Sequence, residues 1–139
     1  SAIYQFLSLF NPRITLTVDK GAVPLGKCLT VSWGFTGRTA RIRNLRIVLE
    51  GLERATYTRG TDRVTTENVF AELPVVDAEG QSSIRSGNVT LTIPADLMHS
   101  FKSRNNAIIW RFKVRGEIAR FPDVIDEFPI AIQPQKSAA

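Results

Sequence analysis

Apolar and polar residues alternate along most of this chain, the pattern left by strands with one face buried and the other wet. Ile14, Leu16 and Val18 alternate with Arg13, Thr15 and Thr17. Leu29, Val31, Trp33 and Phe35 share one register, with Cys28, Thr30, Ser32 and Gly34 in the other. Leu45, Ile47 and Leu49 alternate with Arg46, Val48 and Glu50, and Val89, Leu91 and Ile93 with Thr90 and Thr92. The strongest run sets Ile108, Trp110, Phe112 and Val114 against Ile109, Arg111, Lys113 and Arg115. Phe128, Ile130 and Ile132 close the series, and Pro129 within it predicts an edge or bulged strand.

Turn residues punctuate these runs. Gly21, Pro24 and Gly26 separate the first two, Gly34 and Gly37 end the second, and Arg104-Asn105-Asn106 precedes the strongest. Two more polar stretches, 53–59 and 64–73, read as a hairpin or neighbouring strands nearer an edge. The pattern predicts an all-β fold, an immunoglobulin-like sandwich of about seven to nine antiparallel strands. One short helical turn is expected between Pro94 and Phe101, where Pro94 suits a first helical position and Leu97 and Phe101 share a face. Residues 13–133 form the expected single domain. Residues 1–12 read as a linker or tag remnant plus an edge segment, since the chain opens Ser1-Ala2 without a methionine, and 134–139 as a frayed tail. The apolar stretch Ile3 to Phe10 lacks a basic leader and is not expected to be a signal peptide.

Composition narrows the chemistry more than it names a function. A chain of 139 residues can bury a core without metal or disulfide staples. A single cysteine, Cys28, excludes an internal disulfide and a Cys-rich zinc site, and fits a reducing, cytoplasmic setting. A single histidine, His99, excludes any site needing two and leaves nucleophilic triads without an obvious base. No apolar run approaches the ~18 residues of a membrane span. Asp123, Asp126 and Glu127 are the densest carboxylates and the basis of one alternative, a hydrolase, although they lack the spacing of a calcium loop. The stretch Gly34 to Arg38 is no phosphate-binding loop, and the sequon Asn88-Val89-Thr90 falls inside an expected strand. A carbohydrate- or anion-binding module is a second alternative, which would use Tyr57, Phe70 and Phe121 if two of them lie exposed and close together. No catalytic residue, metal or cofactor is assigned.

The charge is informative. Eighteen basic residues against 13 acidic give +5, and seven arginines fall between Arg38 and Arg63. Arg111, Lys113 and Arg115 share one face of the strongest strand, and Arg46 joins them if the Leu45–Leu49 strand pairs with it. Like charges across strands repel unless offset, so Arg46, Arg111, Lys113 and Arg115 are the expected contact surface for an acidic protein or anionic headgroups. Nucleic acid is not expected, because Trp33, Trp110 and Phe112 fall in the inward register rather than among the basic residues.

From Val89-Thr-Leu-Thr-Ile-Pro94 through Met98-His-Ser-Phe101 to Ile108-Ile-Trp-Arg-Phe-Lys-Val-Arg-Gly116, the chain resembles an arrestin-type domain. Leu45 to Gly51, ahead of a more polar pair, is similar. With Tyr57 to Thr61 and Asp123 to Ile130, the pattern also resembles a soluble domain of uncharacterised bacterial membrane proteins. The resemblance covers roughly residues 13 to 132. It implies an immunoglobulin-like sandwich acting as an adaptor through protein–protein contacts, without catalytic residues. The chain matches none of the buried charged residues that receptor-activated arrestins hold between two such domains, so receptor recognition is not carried over.

Overall fold

The computed structural model describes residues 4–7, 13–39 and 41–136, with the first of these segments described in its backbone only. Of the expected linker or remnant and edge segment at 1–12, residues 1–3 and 8–12 lie outside the described residues, as does the end of the expected tail, 137–139. Ten strands and one short helix follow in the order β1 (Tyr4–Leu7), β2 (Arg13–Val18), β3 (Ala22–Pro24), β4 (Cys28–Thr36), β5 (Ile42–Arg59), β6 (Asp62–Ala78), α1 (Gln81–Arg85), β7 (Ser86–Thr92), β8 (Phe101–Lys102), β9 (Asn106–Ile118) and β10 (Val124–Gln133).

The strands form two sheets. One has the order β1-β2-β4-β7; the other runs β3-β10-β9-β5-β6, with β8 pairing β9. The expected sandwich is present, and its two key runs meet indoors. Leu29, Val31 and Phe35 of β4 share one buried cluster with Ile108, Trp110, Phe112 and Val114 of β9 and with Leu45, Ile47 and Leu49 of β5. Period-two alternation explains this, because each of these residues lies an even number of positions from the next along its strand. The second sheet is the one that carries the arginine stripe.

Four local features differ from the sequence expectation. The connection from Pro94 to Phe101 is turn and extended chain, and the helix instead spans Gln81–Arg85, where Ile84 is buried against the core. Backbone bonds from Gly26 N–H to the Ile93 carbonyl and from the Ile93 N–H to the Lys27 carbonyl hold the start of that connection extended. The Gly21–Gly26 turn contains β3, whose three residues pair in parallel with Ala131, Ile132 and Gln133. Pro129 lies beyond the reach of β3, on a free edge of β10, where a missing donor costs least. The expected hairpin is far longer than the polar stretches implied: β5 and β6 stay paired from Leu45↔Ala78 to Arg59↔Asp62, turning at Gly60 with φ 66°. Finally, Trp33 is only partly buried. Its ring lies over Gly87, where an added Cβ would stand 2.5 Å from Cζ2, and its indole N–H donates to the Ile84 carbonyl. Trp110 is the core tryptophan at 1% exposure, and its indole donates to the Met98 carbonyl.

Candidate interaction surface

Antiparallel pairing brings the four predicted basic residues together on the outer face of the second sheet. The register sets Arg46 directly opposite Arg115, Val48 opposite Lys113, and Glu50 opposite Arg111. Their surroundings then separate them. Glu50 is 2% exposed and accepts a bond of 2.7 Å from Arg111 Nε, which also lies 2.7 Å from a Glu127 carboxylate oxygen. Arg111 is thus sandwiched between two carboxylates on its flanking strands and retains about one-fifth of its surface. Arg115 is half-exposed and stands 3.7 Å from Asp123.

Arg46 and Lys113 have no carboxylate within ion-pair distance among the described residues. They line, with Val48, Glu72 and Arg115, a shallow depression of about 100 Å3. The stripe is therefore graded: matched charge at Arg111, a loose pair at Arg115, and at Arg46 and Lys113 carboxylates that stand across in register, Asp77 and Glu127, but beyond ion-pair distance. Sequence alternation could place all four on one face. Which of them find carboxylates depends on the register of β5 and β10, and no local pattern encodes that.

The carboxylates considered for hydrolysis do not converge. Asp123 and Glu127 lie against different arginines, while Asp126 takes the opposite face of β10 from Glu127 and pairs in register with Val114. Among the described residues no group of three His, Cys, Asp or Glu could hold a metal ion. His99 is half-buried with Nδ1 2.9 Å from the Ser100 carbonyl, and Cys28 lies on the polar face with Sγ 3.3 Å from Thr92 Oγ1. An open apolar notch of about 480 Å3 lies where β8 gives way to β10 along β9, walled by Phe101, Ile109, Trp110 and Pro129, with no carboxylate, imidazole or thiol on its lining.

The three aromatic residues of the carbohydrate reading are also dispersed. Phe70 packs edge-on against Trp110, with ring centroids 5.5 Å apart. Tyr57 lies on the part of the hairpin that outruns β9, and Phe121 follows the far end of β9. Both are exposed, at opposite ends of the molecule.

No family model matches the sequence, and no curated protein matches it. The fold, however, is shared with solved structures. One is Spo0M, a sporulation control protein from Bacillus subtilis, with a TM-score of 0.56 at 13% sequence identity. The match covers 86% of this chain and 48% of that protein, so the chain spans about half of its length. The likeness supports an arrestin-like β-sandwich, as the strand endings of the sequence implied. Among the described residues no helix is long and apolar enough to cross a membrane.

Proposed function

We propose that this chain is a non-catalytic, adaptor-type interaction module, the extramembrane domain of a larger bacterial membrane protein, which engages an acidic protein surface through the outer face of its second sheet. Arg46, Lys113 and Arg115 make the contact, and Arg111, held between Glu50 and Glu127, forms the rigid base of the stripe. The observation that carries this reading is the register pair Arg46↔Arg115. Two guanidinium groups directly across from each other destabilise an isolated sheet, and a bound carboxylate relieves that cost. The sporulation control protein that shares the fold is a precedent for a regulatory role. The membrane-protein context rests on the sequence resemblance.

Polyglutamate is the simplest probe of the sheet face. The wild-type chain is expected to bind it with an affinity that falls steeply as salt rises, because exposed charges are screened within about 8 Å at physiological ionic strength. Reversal at Arg46, Lys113 and Arg115 to Glu, measured by biosensor, should remove most of this binding. Equal affinity in the wild-type and reversed chains would overturn the reading.

A further inference from the structure

A second basic surface lies at the end of the sandwich, where six arginines gather. Arg13 opens β2 across from Thr36, Arg38 and Arg41 lie in the β4–β5 loop, Arg43 is the second residue of β5, Arg85 ends α1 and Arg120 occupies the β9–β10 turn. All six are exposed, and among the described residues none forms an ion pair. Of the acids nearby, Asp123 stands by Arg115 and Asp77 accepts from Asn44, leaving Glu79 and Glu117 against the six.

The end is built rather than slack. The buried Thr39 hydroxyl donates to Gln81 Oε1, and Gln81 Nε2 donates to the Ile42 carbonyl, tying the β4–β5 loop to α1. The Ala119 N–H donates to the Arg41 carbonyl, which fixes the β9–β10 turn beside that loop. At the tip, Phe121 is the most exposed large hydrophobic residue described, at 59%. Arg120 beside it holds φ 67°, a left-handed conformation that suits glycine better, and it is the one described non-glycine residue to do so. A residue kept in such a conformation points to use at that position.

We propose that this end docks onto an anionic lipid bilayer, with the arginines at the level of the phosphates and Phe121 in the boundary with the acyl chains. Guanidinium groups match phosphate oxygens in pairs, which explains a basic end built from arginine alone. A set of turns bearing arginines and the exposed ring of Phe121 suits a soft anionic surface. It suits other partners less well. Single-stranded nucleic acid is gripped by several stacking rings, and Phe121 is the one exposed aromatic ring described at this end. Tyr4, across from Val18, and Gln133, across from Pro24, lie at the opposite end of the sandwich from the arginines. This inference goes beyond the sheet-face reading and does not depend on it.

Vesicle sedimentation tests it with the 139-residue chain. The wild-type chain should bind phosphatidylcholine vesicles carrying phosphatidylserine, ignore pure phosphatidylcholine, and be released by high salt. The triple substitution Arg41→Gln, Arg43→Gln and Arg120→Gln should weaken binding about a hundredfold, at about fivefold per arginine near an anionic surface. The pair Arg46→Gln and Lys113→Gln should retain near wild-type vesicle binding. In Phe121→Trp, tryptophan emission should shift to the blue when vesicles are added. No binding, equal binding to neutral vesicles, or a triple variant that binds like wild type would each overturn the proposal. So would capture of polyglutamate, but not vesicles, through the same three arginines, which would make this end a protein-docking surface. Circular dichroism of each variant confirms that the fold is retained.

Discussion

Arg111 and Arg46 carry the same charge on neighbouring strands of one face, yet removing them should have opposite consequences. Arg111 neutralises the buried Glu50 carboxylate, so Arg111→Met leaves that charge in the interior without its partner. Breaking a buried pair in this way should cost about 3–5 kcal/mol, measured by urea unfolding. Arg46 faces Arg115 on one neighbouring strand and Asp77 on the other, with no carboxylate within ion-pair distance, so Arg46→Gln should leave stability unchanged or raise it by no more than about 0.5 kcal/mol. Arg120 allows a third test. Its positive φ makes Arg120→Gly stabilising by about 0.5–1 kcal/mol, while vesicle affinity should fall about fivefold. A variant that loses both stability and affinity would show that the turn, rather than the guanidinium, matters. None of these distinctions was legible in the sequence. Alternation reveals which side of a strand an arginine occupies, but the carboxylate that meets it comes from another strand at a register set by the whole sheet.

At the scale of elements, packing against glycine decides several outcomes. Gly87 of β7 lies in register with Trp33 of β4, and the indole covers the space where a side chain would stand. Gly87→Ala should displace Trp33 at a cost of about 1–3 kcal/mol and shift its fluorescence to the red. The same argument explains why Trp33 is not a full core residue despite sharing the register of Leu29, Val31 and Phe35. The ring leans across the sheet onto β7 instead of pointing straight between the layers. Long strands with clean alternation, such as β4 and β9, were readable from sequence. The helix was not, because Gln81 to Arg85 offers no apolar periodicity beyond Ile84 and is stabilised by tertiary bonds from Thr39 and Gln81. The three-residue β3 was equally hidden, since its pairing partner lies at the other end of the chain.

Across the whole molecule, two basic surfaces carry the proposals, the outer face of the second sheet and the end crowned by Phe121. The two proposals assign different partners to them, and the Gln variants at Arg46 and Lys113 or at Arg41, Arg43 and Arg120 separate the two. Seven arginines fall between positions 38 and 63, and nothing local in the sequence shows that part of this run joins Arg13, Arg85 and Arg120 at one end. Only the closure of the sandwich brings those segments together. The parallel pairing of Ala22–Pro24 with Ala131–Gln133 has a kinetic consequence for that closure. The β5–β6 hairpin can zip from Gly60 by local contacts, whereas β3 must wait until β10 is in place, and loops that long close late. Val23→Ala should therefore speed unfolding while barely slowing refolding, marking this short seam as the last part of the protein to assemble and the first to open.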